Sequence, residues 1–161
     1  MAQMRADWGP VHGIIHAAGV LADKRIEEKT DADLRRVFAP KIIGLTNLLA
    51  AADEDPLAFL VVFSSAAARF GNPGQADYAM ANTAAETIAA TFATSRPETR
   101  VRTIAWGPWN GGMVDDVLAA RFAAEGVGLI DRQDGAEAFL VELLSGGPGA
   151  VHATIMASGA V

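Results

Sequence analysis

Apolar residues fall in four short runs along the chain, each closed by small or turn-forming residues and separated from the next by amphipathic stretches. The run Phe59 to Phe63 is too short for most helices but long enough for a buried strand, and Val11 to Gly19, Phe59 to Ser65 and Val101 to Trp106 read as successive strands. The fourth, Ala150 to Met156, follows the breaker Gly146-Gly147-Pro148-Gly149. Thr30 and Asp33 have capping-box spacing ahead of a predicted helix from Asp31 to about Ala52. Gln75 to about Thr94 reads as a long helix after the loop Gly71-Asn72-Pro73-Gly74. Met113 to Glu125 predicts a short helix within a long connection, and Arg132 to Leu144 another.

Strand and helix alternate three times before a closing strand. That pattern predicts an α/β fold: about four strands of a Rossmann-like, doubly wound parallel sheet, with right-handed crossovers and helices on both faces. A complete dinucleotide-binding fold has two βαβαβ halves, and its first strand is followed by G-x-G-x-x-G. No such motif occurs here. Gly9, Gly13 and Gly19 are not grouped that way, and Gly107, Gly111 and Gly112 follow a late strand. Residues 1–161 are therefore expected to form one partial domain, the second half of such a sheet without its first βαβαβ half. Its first strand would then lie at an uncovered edge, leaving Val11, Ile14 and Ile15 without the neighbours that bury them and inviting self-association.

Composition narrows the function. A length of 161 residues suits one domain with a real core. A net charge of −6 without a basic cluster argues against a nucleic-acid partner. The absence of cysteine excludes disulfides, thiolate catalysis and zinc–cysteine sites. No apolar run reaches the length of a membrane span and no signal-peptide core opens the chain, so a cytoplasmic location is expected.

The chemistry concentrates around Ser64-Ser65 at the end of the second run, and around Tyr78 and Asn82 on the helix that follows. Ligands of open α/β sheets bind beyond the carboxyl ends of the strands. A hydroxyl there, with a phenol on the next helix, would hold and protonate a carbonyl oxygen, which points to carbonyl reduction. Tyr78, the chain's single tyrosine, and Asn82 share a helix face that continues through Ala81, Ala85, Ile88 and Phe92. For a tyrosine taken alone, a core position with the hydroxyl bonded to a backbone group is the commoner arrangement. Lys41 falls on the apolar stripe of Leu34, Phe38, Leu45 and Leu48. A lysine there either snorkels to solvent or serves a site. Pro40 removes a backbone donor and loosens the helix beside it, which would let Lys41 reach a strand end.

Taken together, the motifs resemble those of the ketoreductase domains of polyketide and polyunsaturated-fatty-acid synthases, in the short-chain dehydrogenase/reductase superfamily. P-K-x-x-G is present as Pro40 to Gly44, G-x-x-G-Q-x-x-Y-x-x-x-N as Gly71 to Asn82, H-x-A-G-V as His16 to Val20, and W-G-x-W as Trp106 to Trp109. Lysine on the earlier helix and asparagine four after the tyrosine is the ketoreductase arrangement, exchanged relative to most short-chain reductases. The resemblance implies Lys41, Ser65, Tyr78 and Asn82 as catalytic residues, NADPH as cofactor and no metal. It implies cofactor contacts at Ala17, Ala18, Gly19, Ser64, Tyr78, Pro108 and Trp109, and substrate or stereochemical control at Asp23, Phe70 and Met113. Asp23 keeps the last aspartate of an L-D-D element whose middle position is Ala22, and Phe70 stands where the opposite stereochemical type has tryptophan. Both favour the D (usually 3R) alcohol.

The implied substrate is a 3-ketoacyl thioester on an acyl carrier protein. The further implied partner is a missing N-terminal half or parent synthase. A fragment or scaffold that keeps the motifs but binds no cofactor is the competing expectation. Other chemistry on this fold, such as dehydration or epimerisation, fits the complete Lys/Ser/Tyr/Asn set less well. The segment from Met113 to about Leu129, with Gly111, Gly112, Gly126 and Gly128 as hinges and Leu118 and Phe122 exposed, is expected to act as a lid.

Overall fold

Among the described residues, four parallel strands make one sheet in the order β1 (Gly13–His16), β2 (Phe59–Ser65), β3 (Arg100–Trp106) and β4 (Gly149–Ile155). The structure, a computed structural model, describes residues 2–158. Leu60 pairs with Val101 and Phe63 with Ile104, so alternate residues of each strand face opposite layers. One layer packs Leu60, Val62 and Val101 against Leu45 and against Ala85, Ala89 and Ala93. The other packs Val61, Ile104 and Trp106 against Ala138, Phe139 and Leu143. Burial on both faces is why β2 reads as a continuous apolar run rather than as alternation, whereas β3, equally buried, carries Arg102 and Thr103 among its apolar residues.

The helices are α1 (Ala2–Trp8), α2 (Asp31–Phe38), α3 (Gly44–Ala51), α4 (Ala67–Phe70), α5 (Ala76–Ser95), α6 (Asp116–Ala124) and α7 (Arg132–Leu144). The predicted spans of β2 and α7 match, the capping box at Thr30 and Asp33 is formed, and β1 is shorter than its apolar run. Missing from the sequence reading are α1, α4 and a 3-10 turn at Ile26–Glu28, all too short to show a period. Arg5 of α1 grips Asp55 through Nε at 3.0 Å and Nη2 at 2.7 Å, tying that helix to the loop before β2.

The expectation of uniformly right-handed crossovers needs correction. The strands advance in one direction across the sheet, so crossovers of one hand would put every connecting helix on one face. Helices α3 and α5 do share a face, but α7 lies on the other. The β3-to-β4 crossover therefore has the opposite hand to the two before it. Its return is locked by Arg102, buried in β3, which donates to the carbonyls of Glu142 (3.0 Å) and Ser145 (2.9 Å) at the end of α7.

Two further expectations change. The helix from Asp31 to Ala51 is interrupted at Ala39–Ile43 by a π-helical turn, in which the Gly44 N–H donates to the Ala39 carbonyl five residues back. Pro40 causes this, because it has no N–H and its ring crowds the carbonyl four residues earlier. The extra residue rotates the helix that follows, so Leu49 packs on the core while Leu48, placed inward by the simple period, is exposed. At the edge, β1 pairs with β2 alone among the described strands, but Ile14 and Val11 are covered by the first layer. Only Ile15, 50% exposed, is left open as the edge argument expected. Among the described residues no helix is long and apolar enough to cross a membrane.

Candidate active site

The π-helical turn decides where Lys41 goes. Val37, Lys41 and Leu45 all point inward, and Lys41 is only 3% exposed. Its Nζ donates to the Phe63 carbonyl at 2.6 Å, at the carboxyl end of β2, and lies 6.0 Å from the centre of the Tyr78 ring. Burial pulls its pKa down to about 8. Gly19 leaves room for this reach: a Cβ there would stand 2.9 Å from Lys41 Cε. The snorkelling alternative therefore fails.

Tyr78 sits in the first turn of α5, facing the end of β2. Burial pushes its phenol pKa up, the neighbouring Asn82 and Ser65 side chains pull it down, and the Asp23 charge pushes it up again. The phenol is thus held protonated at neutral pH. The Ala67 N–H donates to Ser65 Oγ at 3.2 Å, which fixes the turn after β2. Asn82 is fully buried and donates from Nδ2 to the Tyr78 carbonyl at 2.8 Å. Its Oδ1 and the buried Ser64 Oγ have no hydrogen-bond partner among the described residues. Unpaired buried acceptors and hydroxyls are costly and call for a ligand or water.

The four residues expected to be catalytic therefore gather at the end of β2. Ala17, Ala18 and Gly19 lie just beyond β1, with the two alanines exposed. Pro108 accepts from the Ile130 N–H at 2.8 Å. The Trp109 ring is taken up by packing, 4.8 Å from Trp106 between centroids and against Gly135, where a Cβ would stand 2.3 Å from its Cη2. Its indole belongs to the core of the second layer. Asp23 accepts from Gln75 Nε2 at 2.8 Å, Met113 Cε lies 3.9 Å from the Cβ position of Gly19, and Phe70 is exposed at the end of α4.

The expected lid contains α6, which buries no residue. Gly111, Gly112 and Gly126 have φ of 101°, 69° and 70°, the left-handed region suited to hinges. Gly128 differs: a Cβ there would meet the Ser158 carbonyl at 2.7 Å, so it serves close packing. Leu118 and Phe122 are half-buried, while Met113 and Val117 are exposed.

Two features escaped the sequence reading. His16 is buried against the π-helical turn, and burial together with the Lys41 charge lowers its pKa, which keeps it neutral. Lys29 and Asp77 form an ion pair at 2.7 Å with side chains 4% and 0% exposed. No periodicity places a loop lysine in a core. The only available signal was an aspartate directly before the tyrosine.

A family model described as KR domain matches residues 1–111. The chain belongs to this family. It is a ketoreductase domain of the polyketide-synthase type within the short-chain dehydrogenase/reductase superfamily. It is 42% identical over 140 residues to a polyunsaturated fatty acid synthase polypeptide of Thraustochytrium sp., covering 87% of this chain and 5% of that protein. It is 36% identical over 129 residues to polyketide synthase PksL of Bacillus subtilis, covering 76% of this chain and 3% of that protein. The ketoreductase from the first module of phoslactomycin biosynthesis in Streptomyces sp. superposes with a TM-score of 0.81 at 30% identity, over 94% of this chain and 35% of that one. A Brucella melitensis short-chain dehydrogenase/reductase, 21% identical with a TM-score of 0.80 over 96% of this chain and 67% of its own, shares the fold. This ketoreductase domain thus spans a small share of the synthases it matches and about a third of the phoslactomycin ketoreductase.

Proposed function

We propose that this chain supplies the catalytic half of an NADPH-dependent reductase. It turns a 3-ketoacyl thioester on an acyl carrier protein into the 3-hydroxyacyl thioester. The carrying observation is the buried Lys41 ammonium beside Tyr78 at the end of β2. The unpartnered Ser64 Oγ and Asn82 Oδ1, with the space left by Gly19, suit the nicotinamide end of such a cofactor. Ala17, Ala18, Gly19, Ser64 and Pro108 would hold that end, and when bound it supplies hydride to the carbonyl carbon. Ser65 and Tyr78 hydrogen-bond the ketone oxygen and stabilise the charge that grows on it. Tyr78 then donates its proton as general acid. Lys41 stabilises the phenolate left behind, and Asn82 orders the replacement of the proton. Asp23, and phenylalanine rather than tryptophan at Phe70, favour the D (3R) alcohol.

The pyrophosphate site of such folds lies on a Gly-rich turn and helix N-terminus in the first half, and no such motif occurs in this sequence. We therefore expect the 161-residue chain alone to show no micromolar NADPH binding by calorimetry. The complete domain of its parent polypeptide is expected to bind NADPH and reduce a simple 3-ketoacyl thioester. Tight binding and turnover by an isolated monomer would show that the half-domain reading is wrong. A complete domain that does neither would establish the fragment or scaffold reading instead.

The segment from Met113 to Leu129 closes over the acyl chain in this scheme. Limited proteolysis of the complete domain is expected to cut within it when free, and much more slowly with NADPH and a thioester bound. Equal cutting in both states would make α6 a plain surface helix.

A further inference from the structure

The tyrosine helix begins without a side-chain cap: Gln75 at its N-cap position makes no capping bond. A first turn left so is prone to fray, yet it carries Tyr78. What holds it is Asp77, whose Oδ1 meets Lys29 Nζ at 2.7 Å and accepts from the Tyr78 N–H at 2.9 Å. The same ammonium donates to the Ala22 carbonyl at 3.0 Å, one residue before Asp23. Two further bonds run alongside. The Lys24 N–H donates to the Gly74 carbonyl at 3.1 Å, and Gln75 reaches Asp23. The loop carrying Asp23 and the turn carrying Tyr78 are thus one unit, and Lys29–Asp77 is its buried rivet.

Buried ion pairs add little net stability compared with apolar residues of similar size, and their best-attested use is to specify one arrangement over others. Here the arrangement specified is the distance and angle between Asp23 and the Tyr78 phenol. We propose that Lys29 and Asp77 are positioning residues that hold the Asp23 loop against the proton-donating tyrosine and thereby set both the rate of ketone reduction and the alcohol configuration. The inference rests on the reductase reading above and assigns its specificity to a pair that touches neither substrate nor cofactor.

The test uses the complete reductase domain in its parent polypeptide, with the double variant Lys29→Met/Asp77→Leu, which removes both charges together and avoids stranding one. Its melting temperature is expected to stay near that of the wild type. Its kcat should fall on the order of 10- to 100-fold with KM little changed, the cost of a misplaced catalytic group. The minor alcohol enantiomer should rise, and amide hydrogen exchange over residues 22–29 should speed up. Lys29→Arg, which keeps the charge, should recover most of the rate and the enantiomer ratio. A folded double variant with wild-type rate and enantiomer ratio overturns the proposal, whatever its exchange pattern. Should the double variant not fold, Asp77→Asn takes its place: a slower rate and a raised minor enantiomer support the proposal, and wild-type values of both overturn it. If the wild type reduces no 3-ketoacyl thioester, the reductase reading falls. Unchanged exchange over residues 22–29 in the variant would then overturn the positioning role as well.

Discussion

Tyr78→Phe is expected to lower turnover of a 3-ketoacyl thioester by the complete reductase by about 10²- to 10⁴-fold, the usual contribution of a general acid. NADPH affinity should hardly move, because the ring stays and only the hydroxyl is lost. The loss should fall equally on kcat and kcat/KM, since the proton is given only in the transition state. Burial keeps the phenol protonated at neutral pH, and Ser65 and Asn82 lean it back toward ionisation. Steady-state kinetics with a soluble thioester, alongside calorimetry with NADPH, checks both halves. Near-wild-type turnover would remove Tyr78 as the acid and take the proposed mechanism with it.

Lys41→Met should cost on the order of 10²- to 10³-fold in kcat, the scale of losing one preorganised electrostatic donor. The wild-type reduction rate should decline as pH rises through about 8, where the buried ammonium loses its proton, and the variant should lack that limb. Stability moves the other way. The folded pKa lies below the usual lysine value of 10.5, so between about 8 and 10.5 the unfolded chain binds more protons and wild-type stability rises with pH. Below that window the folded protein bears the full cost of burying a charge. Lys41→Met is therefore expected to melt no lower than wild type at neutral pH, with any advantage shrinking as pH climbs toward 10.5. A pH–rate profile without a descending limb near 8, or a variant destabilised most at neutral pH, would contradict this account of Lys41.

On this account stability and activity are expected to oppose each other at Lys41. The fold meets the cost of a desolvated ammonium with the rest of its core, a pattern common where a site needs a charge away from water. The lysine's backbone partner, Phe63, belongs to the strand that presents Ser64 and Ser65. A change in β2 packing would therefore displace Lys41 together with Ser64 and Ser65.

Much of this was legible along the chain. The runs at Phe59 to Ser65 and Arg132 to Leu144 matched their elements, and the Thr30–Asp33 box capped its helix, because period, propensity and capping are set by neighbours a few residues away. The linked Lys, Ser, Tyr and Asn motifs named the residues that gather at the end of β2 for the same reason: each is short. Even the loosening at Pro40 could be read, since a missing N–H acts locally. Packing decided the rest. The exchange of Leu48 for Leu49 followed from how the helix accommodated the proline, and the burial of Ile14 from helices that cross above it. The opposite hand of the last crossover placed α7, and with it the Trp109 ring, on the second face. Lys29 and Asp77 are 48 positions apart by their numbers and share no motif. Their pairing exists only because the fold brings the loop after β1 against the first turn of α5 and excludes water from between them, and that desolvation, which no local pattern encodes, is what gives the contact its geometric force.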